Sequence, residues 1–229
     1  MENHHTVRSF DKELRQLTAY LLTMGQHVNE LIALSVISLE NHSDDIVKQA
    51  KGIYKKISAL DTDVDKDATA MLALRQPKAI DLRFVTSAIK ISTSLERMGE
   101  LAKNNVKRAN RVDSPIPVQL TEDFKKVAAL VQEMLRRVLR ALEQGDSQLA
   151  AKVWEGDDTV DHAYKALFPK LQDTMIANPA SIPSCIQIAF AAKNLEHLGD
   201  YITKLAKNVH YIISGKRPKK LKLKEELVS

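Results

Sequence analysis

From Leu14 the apolar positions step by threes and fours through Leu17, Leu21, Met24, Val28 and Leu31 to Ser35. That spacing keeps one face of a helix apolar, over too few heptads for a free-standing coiled coil, and predicts a first helix packed inside its own bundle. After Asn41-His42-Ser43, where Ser43 or Asp44 can cap, the alternation resumes through Ile46, Ala50, Ile53, Ile57, Leu60, Val64, Met71 and Leu74. This is a long second helix. Gln76-Pro77 marks a corner, because proline turns its predecessor away from helical geometry. A third helix is expected from about Ala79 to Asn110, and Arg111 to Pro117, with two prolines and no periodicity, reads as a linker.

The pattern then restarts. A fourth helix is expected from a cap at Thr121-Glu122-Asp123 through Phe124, Val127, Leu130, Met134, Val138 and Leu142 to a stop at Gly145. A fifth should span about Ser147 to Asn178 before Pro179, and a sixth Cys185 to Tyr211. Six long helices in two similar sets of three point to an internal duplication of about 100 residues. The predicted fold is all-α: two pseudo-repeated antiparallel three-helix bundles, residues 7–112 and 118–215. Seven Gly, seven Pro and 5% aromatics agree with helix and leave no sheet to expect.

The duplication is sharpest where Leu95-Glu96-Arg97-Met98-Gly99-Glu100 returns as Leu195-Glu196-His197-Leu198-Gly199-Asp200. Helical positions four apart lie one above the other, so Glu96 with Glu100, and Glu196 with Asp200, form carboxylate pairs. Cys185, Ala189, Ala192, Gly199 and Thr203 wind onto the same side as Glu196 and are all small. The helix before each carries another pair, Asp61 with Asp65 and Asp157 with Asp161. Clustered carboxylates on a partly buried stripe repel and lose hydration unless cations or hydrogen-bond donors reach them. An oxygen-only set suits hard cations such as Mg, Mn, Ca or ferric iron. His162 and His197 are turned about 100° from their acidic neighbours and read as surface or interhelix contacts rather than ligands.

Composition narrows the field. The lone Cys185 excludes an internal disulfide and a thiolate zinc cluster, and reads as core packing in a cytosolic chain. Neither a signal peptide nor a membrane span is expected. The net charge of +5 is concentrated in the last fourteen residues, which hold six Lys and Arg against Glu225 and Glu226, and the body is almost neutral. Nucleic-acid binding is therefore not expected; residues 216–229 form a basic tail, expected to be disordered, with attraction to anionic lipid or an acidic transporter loop as the alternative. Trp154 and Tyr211 read as core or interbundle packing. No phosphate loop, nucleophile elbow or His-Glu-x-x-His motif occurs, and Gly99 and Gly199 stand where a ferritin-like Glu-x-x-His site needs histidine. An enzyme is not expected.

From about Val7 to Gly215 the chain resembles the PhoU family, phosphate-signalling accessory proteins of bacteria and archaea. The resemblance rests on Asp61 to Asp65, Gln76-Pro77 with Asp81-Leu82-Arg83, the motif at Leu95 to Glu100 with Asn104, Asp157 to Asp161, and the motif at Leu195 to Asp200, closing on Tyr211 and Gly215. It implies a negative regulator of the phosphate regulon, acting between the Pst phosphate ABC transporter with its ATPase and a PhoR-type sensor histidine kinase at the inner membrane face. It further implies a homodimer and E(D)xxxD motifs that bind metal, as multinuclear iron clusters in some members and zinc, magnesium or manganese in others. The implied metal residues are Asp61, Asp65, Glu96 and Glu100, and Asp157, Asp161, Glu196 and Asp200. Two further readings stay open: a metal-storage bundle, and a metal-free adaptor, for another phosphate transporter, with Lys103 and Lys204 as counter-ions for Glu100 and Asp200.

Overall fold

A computed structural model describes residues 2–113, 116–155 and 158–216, and of their side chains all but those of residues 2–9 and 155. Every regular element among them is helical: α1 (Glu2–Glu40), α2 (Asp44–Arg75), α3 (Ala79–Ala109), α4 (Val118–Gln144), α5 (Ser147–Glu155), α6 (Asp158–Ala177) and α7 (Ile182–Ser214). A single 3-10 turn, Pro179–Ser181, precedes α7. The expected fifth helix is thus seen as α5 and α6, with residues 156–157 outside the described residues. Most of the basic tail, residues 217–229, also lies outside them.

The helix ends follow local chemistry. Ser43 caps α2, its hydroxyl accepting the N–H of Asp45 at 3.2 Å. The corner before α3 is turned by Gln76, held at φ 47 in the left-handed region, ahead of Pro77. Gly145 and Gly215 end α4 and α7 with φ of 65 and 70, where a side chain would be strained. One start differs from expectation. Helix α4 begins at Val118, because Pro117 enters in extended geometry, its carbonyl accepts the Leu120 N–H at 2.9 Å, and Leu120 is buried. The cap expected at Thr121 is not needed.

The predicted seam of α1 is sealed: Leu17, Leu21, Met24, Val28, Leu31 and Ser35 are inaccessible to solvent. Helices α1 and α3 pack along each other with α2 against both, and in the second half α4 and α7 are covered by α5 and α6. The halves meet where α3 lies on α7 and α1 on α4. Asn105 ties the first seam, its Nδ2 donating to the Ala191 carbonyl at 2.9 Å while its Oδ1 accepts from Asn194 at 2.8 Å. Arg108 donates to Gln187 at 3.3 Å and Arg83 to the Ile212 carbonyl at 3.3 Å, so α3 and α7 run antiparallel. In that register the two Leu-Glu-x-x-Gly motifs cross at one height. Cys185 is buried as expected, and half-buried Trp154 stands edge-on to His210 at 5.2 Å between centroids.

Candidate functional site

In the first half, Gly99 lets α2 close on α3. A Cβ at that position would stand 2.8 Å from Ile57 Cδ1 and 3.5 Å from Tyr54 Cδ2. The close approach brings the Tyr54 hydroxyl onto Glu96, to which it donates a hydrogen bond. That bond leads the causes that push the Tyr54 phenol up to about 12, followed by burial and the charges of Glu96 and Glu100. The Lys103 ammonium lies 3.7 Å from the centre of the Tyr54 ring, and burial holds its pKa below the usual lysine value despite Glu100 and Glu96. Glu100 is paired with Arg97, one turn before it.

The other first-half acids sit elsewhere. Asp61 accepts the Ser92 hydroxyl at 2.5 Å, and with exposed Asp65 lines a pocket of about 210 Å³. Ser92 is one helical turn from Glu96, about 6 Å along the axis. The antiparallel register therefore lays Asp65, Asp61, Glu96 and Glu100 in file along the α2–α3 groove. A second, open groove of about 510 Å³ shares Ile89 and Thr93 with this pocket and is bordered by Glu96, Arg97 and Tyr201.

The second half is arranged differently. Asp200 keeps an exposed edge, yet the protein around its carboxyl raises its pKa; burial is the largest cause, and Glu196 and Asp161 add to it while Lys204 opposes. The charges of Glu196 on α7 and Asp161 on α6 thus both bear on Asp200. Lys193 approaches Glu196 to 2.8 Å and His197 stands 3.6 Å from the same oxygen. Lys204 lies 4.6 Å from the centroid of Tyr201, stacked on that ring, so the close pair at this motif is Lys193 with Glu196. The Thr203 hydroxyl is buried with no hydrogen-bond partner among the described residues. Asp157 lies outside the described residues. His162 is exposed.

These surroundings decide how well a cation fits. Among the described residues no three Asp, Glu, His or Cys side chains converge on one point. In the first half, donors from Tyr54, Ser92 and Arg97 already meet Glu96, Asp61 and Glu100, which does not fit a metal site. In the second, Lys193 already meets Glu196, while the charges of Glu196 and Asp161 crowd Asp200.

Tyr54, Ser92, Arg97, Lys193 and Tyr201 were not singled out from sequence. Arg97 with Glu100 and Lys193 with Glu196 are legible as i,i+3 pairs. Tyr54 and Ser92 required the pairing of α2 with α3.

The PhoU domain matches residues 21–109 and 124–209. The chain belongs to the PhoU family. It is 36% identical over 212 residues, 92% of each chain, to a protein of Caulobacter vibrioides (strain NA1000 / CB15N) named phosphate-specific transport system accessory protein PhoU homolog. A Rhizobium meliloti (strain 1021) protein of the same name is 31% identical, covering 100% of this chain and 97% of its own. The crystal structure of PhoU from Pseudomonas aeruginosa superposes with a TM-score of 0.83 at 30% identity, over 90% of this chain and all of that one. A PhoU described as a phosphate transport system regulatory protein, from Streptococcus pneumoniae, shares the fold with a TM-score of 0.81 at 24% identity, over 92% and 99% of the chains. Two domain matches in one chain account for the pseudo-repeat, and as a member of this family the chain is an accessory protein rather than an enzyme.

The buried positions Ile57, Val64 and Ala68 of α2 return in α6 as Val160, Leu167 and Leu171, an offset of 103. That offset places Ser58 against Asp161 and Asp61 against Tyr164. The contacts agree: Asp61 meets Ser92, while Tyr164 stands beside Ala192's neighbour Lys193, whose ammonium is 5.4 Å from its ring. Asp161 therefore stands at the level of Ser58, about one turn of helix from that of Asp61.

Proposed function

We propose that this chain is a negative regulator of phosphate uptake and of the phosphate regulon, working at the inner face of the membrane. Membership of a family whose curated relatives are named accessory proteins of the phosphate-specific transport system carries this reading. The proposed partners are the ATPase of a Pst-type transporter and a PhoR-type sensor histidine kinase, with a homodimer as the working unit. The long outer faces of α2 and α6 suit such a role, and no helix among the described residues is long and apolar enough to cross a membrane. The association with the membrane is proposed to run through the transporter, helped by the basic tail.

Metal is proposed to set the spacing of the acidic helices rather than to perform chemistry. Of the acids assigned by resemblance, Asp200 is the one whose crowding, by Glu196 and Asp161, a cation would relieve. The metal-free adaptor reading has its own support in the ion pairs of Arg97 and Lys193.

Deletion of the gene in its own organism tests the regulatory reading. Starvation-induced phosphatase should become expressed in phosphate-replete medium, and the tagged chain should co-purify with the transporter ATPase. Unchanged repression and uptake in the deletion strain would overturn it.

A further inference from the structure

We infer that the outer stripe of α7, walled by the end of α3 and by α6, is a docking surface for an acidic amphipathic helix of a partner protein. Such docking goes beyond the regulatory reading and stands whether or not that reading holds.

The stripe is apolar and regular. Ile182, Ile186 and Phe190 are 37%, 40% and 54% exposed, at steps of four along α7. Four-residue steps drift by only about 40°, so the three stay on one side of the helix over two turns, about 12 Å. A row of side chains four apart is the ridge on which another helix packs. Leu74, Val118 and Ile176 are more exposed still, but each stands singly at the end of a helix. Isolated apolar residues of that kind need no partner.

Two walls flank the stripe. On one side Arg108 of α3 lies over the Phe190 ring, 4.6 Å from its centre, and donates to Gln187 at 3.3 Å. On the other, Lys193 stands 5.4 Å from the centre of the Tyr164 ring of α6. Phe168, edge-on to Tyr164 at 5.5 Å between centroids, is also exposed. The short turn Pro179–Ser181 makes α6 and α7 antiparallel. Phe168, one turn on from Tyr164, therefore stands at the level of Ala189, one turn back from Lys193, and extends the apolar floor.

Charge selects the occupant. Between Glu100 and Asp113 the chain carries Lys103, Lys107, Arg108 and Arg111 and no acid. Lys103 is spent on Tyr54, whereas Lys107, Arg108 and Arg111 join none of the ion pairs found among the described residues. Asp113 is engaged by Ser184 at 3.3 Å, and the charge of Lys193 is met by Glu196. The α3 wall is thus basic, and a guanidinium laid on a ring offers its N–H fork to a carboxylate. An occupant with apolar residues one turn apart and Asp or Glu along the flank that faces α3 meets both features. The basic tail of this chain, six Lys and Arg between Lys216 and Lys224, has the wrong sign for the site. A stripe walled on both sides suits a helix better than a flat bilayer.

The test uses the full chain and three probes: a labelled helical peptide with Leu at every third and fourth position and Glu on the flanks, the same peptide with Lys for Glu, and vesicles of phosphatidylcholine with phosphatidylglycerol. Fluorescence anisotropy should show the Glu peptide binding about tenfold or more tightly than the Lys peptide. Phe190→Ala should weaken the Glu peptide by about tenfold or more without lowering Tm, because the ring is half in water. Ile186→Ser reads the same stripe if the Phe190 variant melts early, and Arg108→Glu should move the preference to the Lys peptide. Equal affinity for the two peptides, no binding of the Glu peptide, or a Phe190→Ala chain that binds like wild type would overturn the proposal. Vesicle binding that depends on Phe190 would assign the face to the membrane instead, and concentration-dependent self-association that depends on it would assign the face to a second copy; either result also overturns the proposal.

Discussion

Gly99→Ala puts one methyl group where α2 and α3 touch. The new Cβ would lie 2.8 Å from Ile57 Cδ1, 3.4 Å from its Cγ2 and 3.5 Å from Tyr54 Cδ2. The last two are tolerable; the first is an overlap. Ile57 is fully buried and has no open space into which to turn. Overpacking of this kind costs about 1–3 kcal/mol, against which alanine returns about 0.8–1.0 kcal/mol of helix propensity. The net expectation is a loss of about 1 kcal/mol, or roughly 2–4 °C in Tm for a chain of this size. Gly52 is the control, because it too lies inside a helix, α2, and nothing stands within 4 Å of its Cβ position. Gly52→Ala should therefore stabilise by about 0.8–1.0 kcal/mol. Adding Ile57→Val to Gly99→Ala deletes the clashing Cδ1, so the pair should couple favourably by about 1 kcal/mol in denaturant melts. If Gly99→Ala stabilised as much as Gly52→Ala, the close approach that places Tyr54 on Glu96 would be wrong.

Three further outcomes are expected. Asp123, nearly buried between α4 and α6, has its pKa held below the usual aspartate value: burial alone would raise it, but Lys170 at 2.6 Å, Gln119 and Lys126 together prevail. Its contribution is present above the ordinary aspartate range and lost as pH falls through the depressed value, so Asp123→Asn should cost about 1 kcal/mol near neutrality and nothing in strong acid, by denaturant melts across pH. Tyr54, raised to about 12 first by its bond to Glu96, contributes stability below the ordinary tyrosine value that is lost as pH climbs through its own; tyrosinate absorbance after a pH jump should show late-titrating tyrosines, Tyr20 and Tyr164 being raised as well, and Glu96→Gln should bring one of them down. Asn105→Ala strips partners from the Ala191 carbonyl and from Asn194 in the α3–α7 seam, and should lower stability by about 1–3 kcal/mol in the same melts; a neutral result would mean that the seam does not depend on this network.

The helices and their buried faces were legible because helical periodicity is local. The step of three and four from Leu17 to Leu31 names a face that the tertiary structure then seals, and Ser43, Pro77 and Gly145 mark ends by their own backbone preferences. The duplication was equally legible, since the motifs at Leu95 and Leu195 differ little. The spacing of acids along one helix shows which carboxylates share a face, and so the pairs Glu96 with Glu100 and Glu196 with Asp200 needed no structure.

What one helix cannot specify is the level at which its neighbour stands. Sliding α2 along α3 by two turns preserves every apolar period, and only the close fit of Gly99 under Ile57 and the hydrogen bonds of Tyr54 and Ser92 choose the observed register. Sequence therefore determined that this is a duplicated helical bundle with acidic stripes. The tertiary structure decided that Asp61 meets a serine, that Glu96 meets a phenol, and that the charge of Asp161 bears on Asp200. Those pairings are set by the packing of one helix surface on another, which no period along a single chain encodes.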